Sequence, residues 1–320
     1  MAAQRKKKQE YLKSEELFRR KAYLIITEMV ELSIQTREDT SVLVDEILHS
    51  IFFLGRIHKP PISPEIILKD DDEAENLLST LMSCYPRPFE LYSSQLPRRS
   101  PFSCVLDMTV LLVGQENEEE IKDRLQDFID TVEEDVPSNH LISSTICVSQ
   151  KYNNSVRYYG VSMSTSGRNA GKIMVAASCF GAWDDYVADA VMTYYPDKEK
   201  SKKEYFDGTI KIPDYVRCQA FNLKSGGKMN PCKSCGNLFG LSTDEETEWP
   251  YGNCAEVESL SNLLKNENEV KEQSQPRSPT WTPENRETAR ESVLQDLGAV
   301  LHTIQFETWD GEHFYDPLAG

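Results

Sequence analysis

Three cysteines constrain this chain more than any other feature. Pro231-Cys232-Lys233-Ser234-Cys235 sets two thiols three residues apart, and Cys254-Ala255-Glu256 follows after 18 intervening residues, 236 through 253. At a helix start, the CxxC spacing lets both sulfurs face one point. The free N–H groups and the helix dipole there favour the thiolate, which is the form that binds metal. The second stretch also reads as a helix start. Gly252 and Asn253 supply turn and cap, and Val257, Leu260 and Leu264 supply an apolar face. A fold that joins the two helix starts gathers three sulfurs and the Glu256 carboxylate. Two other readings use the same residues. Cys218 could complete a closed four-thiolate site, or the cysteines could be small buried apolar groups without metal.

The rest of the chain divides in two. Residues 1–85 read as a helical N-terminal region. Phe18, Leu24, Ile25, Met29 and Leu32 recur at helical spacing, as do Val44, Ile47, Leu48, Ile51 and Phe52, giving two packed helices over 10–57. His58–Glu65, with three prolines, stops the second, and Lys69–Met82 forms a short helix. Pro-rich residues 86–101 read as a linker. Residues 102–320 form one layered α/β domain. Its β-like runs are Cys104–Val113, Leu141–Ser149, Val156–Ser164, Lys172–Cys179 and Tyr215–Leu223, with TSGRNAG as a hairpin between the third and fourth. Helices are expected at 117–136, 182–194 and 287–304, and a flexible loop at 265–286, where apolar residues are few. Cys84, Cys104, Cys147 and Cys179 lack ligand spacing and read as core thiols.

With CAE and PCxxC side by side, the chain resembles the cytidine deaminase-like superfamily of zinc-dependent nucleoside and nucleic-acid deaminases. The wider Tyr251-Gly252-Asn253-Cys254-Ala255-Glu256 wording is similar to the free-nucleoside enzymes and to toxin deaminase domains. The resemblance covers about residues 215–265. It departs from the family in chain order, since PCxxC here precedes CAE. It implies a three-layer α/β domain with a mixed sheet of about five strands. It also implies Zn²⁺ held by Cys232, Cys235 and Cys254, with Glu256 as the proton shuttle. A base amine would be released by hydrolysis, and Asn253 would be placed to touch ribose or base.

Charge selects among partners. The chain carries 35 basic and 52 acidic residues, a net of −17. Residues 240–270 hold eight acids and one base, and residues 115–136 hold ten acids and two bases. Such surfaces repel a polynucleotide, so a small nucleoside or nucleotide is the expected substrate. Nucleic acid has only a local route, along Lys198–Lys203 and past Lys224, Lys228 and Lys233. The alternative function is a catalytically inactive zinc protein that uses the fold as a scaffold, with protein partners on its helical N-terminal region. No membrane span is expected, and no apolar signal segment follows the basic start. Cysteines that read as reduced fit a cytoplasmic or also nuclear location.

Overall fold

The computed structural model describes residues 2–69, 72–133, 140–165, 167–196 and 201–319. The side chains of the basic run at Arg5–Lys8, positions 198–200 of the lysine run and positions 134–136 of the expected helix lie outside what is described. The two packed N-terminal helices form as periodicity predicts, as α1 (Ala2–Gln35) and α2 (Ser41–Ile57), and Pro60 and Pro61 follow the end of α2. Next come α3 (Pro64–Ile67), α4 (Asp72–Cys84) and α5 (Pro86–Leu91). The segment expected as a linker is therefore partly helical and is packed. Pro86 opens α5 in the first turn, where a missing N–H costs nothing. Arg99 donates to both oxygens of Glu46 on α2, at 3.1 and 2.7 Å.

Two expected strands are helices. Cys104–Val113 lies in α6 (Pro101–Val113), and Lys172–Cys179 lies in α8 (Arg168–Gly181), so the TSGRNAG hairpin is absent too. Both runs are nearly continuous in apolar residues, a pattern shared by buried strands and buried helices. The flanks decide. Pro101 starts α6 and Gly114, at φ 92°, ends it, while Ala170, Ala176 and Ala177 favour helix in α8. Helix α7 (Glu118–Glu133) lies where periodicity places it. The sheet comprises β1 (Thr145–Gln150), β2 (Tyr158–Val161), β3 (Arg217–Asn222) and β4 (Lys228–Met229), in the order β2-β1-β3-β4. All its pairings are antiparallel, so among the described residues it is a four-stranded antiparallel sheet and not a mixed sheet of about five. Helix α9 (Asp185–Tyr194) precedes β3. After β4 come α10 (Lys233–Phe239), α11 (Ala255–Asn266), α12 (Asn268–Gln273) and α13 (Pro283–Thr303). The expected flexible loop at 265–286 thus holds α12 and is anchored. Val270 is buried, and Trp281 Nε1 donates to Asp189 at 2.8 Å.

The sheet is covered on both faces. On one, Lys122 of α7 lies over the Phe221 ring, and Arg217 donates to Glu118 at 2.7 Å. On the other, α11 packs closely, with Ser149 and Ser259 hydroxyls 2.9 Å apart. Gly160 on β2 makes that approach possible. A Cβ there would stand 2.3 Å from Ser259 N and 2.7 Å from Ala255 O. Glu258 of α11 accepts from Val161 N at 2.8 Å and from the Ser103 hydroxyl of α6. The buried apolar residues of α1, α2, α6 and α8 and most of those of the sheet belong to one continuous core, while Cys147, Ala220 and Ala255 form a second small cluster between sheet and α11. Among the described residues, no helix is long and apolar enough to cross a membrane.

Two stability outcomes follow. Gly160→Ala is expected to cost at least about 2 kcal/mol, because backbone atoms must shift to admit a methyl group. Gly298→Ala, in α13 with nothing within 4 Å, should be neutral or stabilising by up to about 1 kcal/mol in urea unfolding. His49 of α2 is fully buried against the Tyr315 ring at 3.7 Å, and burial holds its pKa near 3, below its ordinary 6.5. The unfolded chain therefore binds that proton first, and stability is lost as pH falls from about 6.5 toward 3. His49→Phe should flatten the acid limb by about one proton in pH-dependent unfolding.

Candidate metal centre

Two helix starts converge beside the sheet. Cys232 is the N-cap of α10, and Cys235 sits in its first turn. Cys254 is the N-cap of α11, with Glu256 one residue inside the helix. The loop between the helices is held by several bonds. Lys233 N donates to Thr247 O at 2.9 Å, and the Ser234 hydroxyl donates to Trp249 O at 2.5 Å. Tyr251 stacks on Tyr194 at 3.8 Å and donates to Glu248 at 2.6 Å. Gly252, at φ 94°, turns the chain into α11, where any Cβ would meet Val175 at 2.6 Å. These contacts fix Cys254 over the α10 cysteines.

The sulfurs meet. Cys232 Sγ lies 3.7 Å from Cys235 Sγ and 3.4 Å from Cys254 Sγ, and all three lie within 4.8 Å of one another. A tetrahedral ion with bonds of about 2.3 Å needs sulfurs about 3.8 Å apart. Three sulfurs so arranged can hold one metal ion. Cys218 is not among them. Its Sγ lies 3.6 Å from Cys147 Sγ on the sheet face, so the closed four-thiolate arrangement does not form.

Without a metal the three thiols share protons. The Cys232 thiol is driven far below its ordinary range, first by its hydrogen-bond contacts with the Cys235 and Cys254 thiols, then by the Cys235 and Ser234 backbone N–H groups. Cys235 and Cys254 are pushed well up, first by their contacts with Cys232 and also by burial. A bound cation needs the thiolate form, so it would release the protons that the trio still holds. Glu256 is only 5% exposed, and its pKa is raised to about 7, by burial first and then by the Cys232 charge, with the Cys235 thiol opposing.

Comparison with known proteins gives no match. None is found to a family model, to a curated protein or to a solved structure.

Glu256, Cys232, Cys254 and Asn253 line a cavity of about 660 Å³. Residues the sequence did not single out complete it. Thr145 comes from β1, Ser162 and Met163 from the segment after β2, Met229 from β4, and Trp249, 57% exposed, from the α10–α11 loop. A polar run after a strand carries no signal by itself, and only the sheet register brings it to the cysteines. Of the nearby cations, Lys228 lines the cavity, whereas Lys224 pairs with Glu133 at 2.6 Å and Lys233 with Glu248 at 3.7 Å. Cys104, Cys147 and Cys179 are buried as expected, but Cys84 is exposed near the end of α4.

Metal analysis of the purified chain is expected to give about one ion per molecule. Cys232→Ser, Cys235→Ser and Cys254→Ser should each lose most of it, and Cys218→Ser should keep it. Chelation should lower the Tm of the wild type and leave that of Cys254→Ser nearly unchanged.

Proposed function

We propose that this protein is a zinc-dependent hydrolytic deaminase acting on a cytosine-type base of a nucleoside or nucleotide. The observation that carries the reading is the meeting of a three-sulfur cluster with a buried carboxylate in the wall of one cavity. Three thiolates at these separations suit zinc, which prefers sulfur ligands in a tetrahedron, and three protein ligands are the number that leaves one corner free. Held there, the ion would supply a Lewis acid that makes water reactive near neutral pH.

The remaining work falls to the chain. Glu256, raised toward neutrality by burial, is suited to accept a proton and to return it to the ring nitrogen and the departing amine. Asn253 is held in the cavity wall, its carbonyl accepting from Met163 N at 2.9 Å, which leaves its amide to meet a sugar or base edge. Trp249 offers an exposed ring at the same cavity, and stacking on a base is worth about 1–3 kcal/mol. Glu245 lines the cavity too, and two of the three lysines near it are engaged. That pattern supports a small substrate over a polynucleotide.

The test is ammonia release by the zinc-loaded chain from cytidine, cytidine monophosphate and a cytosine-containing oligonucleotide. Turnover is expected on the monomers. Glu256→Ala should lose about 10²–10⁴-fold in rate while retaining its zinc. Full metal content with no turnover on any of the three would overturn the reading in favour of the inactive scaffold.

A further inference from the structure

A second cavity of about 460 Å³ shares no lining residue with the one at Glu256. It lies between the end of α2 and the start of α8. Four basic side chains line it: His58, Lys59, His140 and Arg168. Among the described residues, no carboxylate lines it. In a chain of net charge −17, a concavity of one positive sign is unexpected by composition alone.

Three of the four, Lys59, Arg168 and His140, are not spent on neighbours among the described residues. Neither Lys59 nor Arg168 makes an ion pair among the described residues, and Asn169 beside Arg168 is exposed. Among the described residues, His140 Nδ1 is buried without a hydrogen-bond partner. His58 is fixed in place, its Nδ1 2.9 Å from Pro60 O and its Nε2 3.2 Å from the Ser14 hydroxyl. His140 is lowered by burial and by the positive fields of His58 and Lys21, which marks the region as electropositive. Glu133, the acid acting on Lys21, is taken by Lys224. The first turn of α8 adds to this, since its N-cap Gly167 has no side chain to satisfy the free N–H groups. Leu54 and Ile57 of α2 give the cavity an apolar wall.

We propose that this cavity binds a small phosphate ester, its oxyanion held by Lys59, Arg168 and His140 and its organic body set against the α2 wall. The volume lies in the range of small-molecule sites, about 300–1,000 Å³. This inference is independent of the deaminase reading, since it uses none of the cysteine cluster.

Calorimetric titration of the full chain with phenyl phosphate and with inorganic phosphate, at fixed ionic strength, tests it. One saturable site is expected, tighter for phenyl phosphate because of the apolar wall. Lys59→Ala and Arg168→Ala alter exposed side chains and should each weaken it about fivefold or more, and the double variant should not saturate. Lys211→Ala, 63% exposed and elsewhere, should bind as wild type. Co-sedimentation with vesicles containing a phosphoinositide should be absent. No saturable binding, affinity untouched by the double variant, or binding to the vesicles alone would overturn the proposal.

Discussion

The architecture depends on one close approach, that of α11 to the sheet. Helix α11 carries Cys254 as its cap and Glu256 in its first turn. Its distance from β2 is set by a missing side chain at Gly160, and its lateral position by Glu258, which ties it to Val161 and Ser103. The Cys232–Cys235 pair arrives by a separate route, off β3 and β4 into α10. Only when both helices are seated do three sulfurs share one point. The centre is thus a readout of tertiary packing more than of local sequence, although each ligand sits at a helix start that local sequence dictates.

The N-terminal helices join the same system. Arg99, just before α6, bonds Glu46 of α2 and also reaches Asp107 of α6, while Ser103 of α6 reaches Glu258 of α11. Glu46 is buried, so removing Arg99 would strand its carboxylate away from water. This network links the helical region to the cysteine cluster, and the apolar core is continuous across it. The residues between α5 and α6 therefore anchor the two parts to each other.

Legibility from sequence followed physical lines. The cysteine trio and Glu256 were readable because each stands at a helix boundary with turn and cap residues beside it. Amphipathic helices such as α7 and α13 were readable because one face is polar. Helices α6 and α8 were not, since burial on most sides erases the 3.6-residue period and leaves a run that looks like a strand. Helix α12 was hidden for the opposite reason. Its surroundings are polar, and what holds the segment is the long-range grip of Asp189 on Trp281 and Arg286. The cavity wall was invisible because Thr145, Ser162 and Met229 meet only through the antiparallel register of the sheet. Cys218 was ambiguous in sequence, and its place beside Cys147 removes it from the cluster.

What distinguishes a catalytic centre from a closed structural one here is the fourth corner of the metal. X-ray absorption at the zinc edge, on the zinc-loaded protein in solution, reads that corner directly. The account predicts three sulfur neighbours at about 2.3 Å and one oxygen or nitrogen neighbour at about 2.0 Å. Four sulfur neighbours, or a sulfur count that drops when Cys218 is replaced by serine, would contradict it.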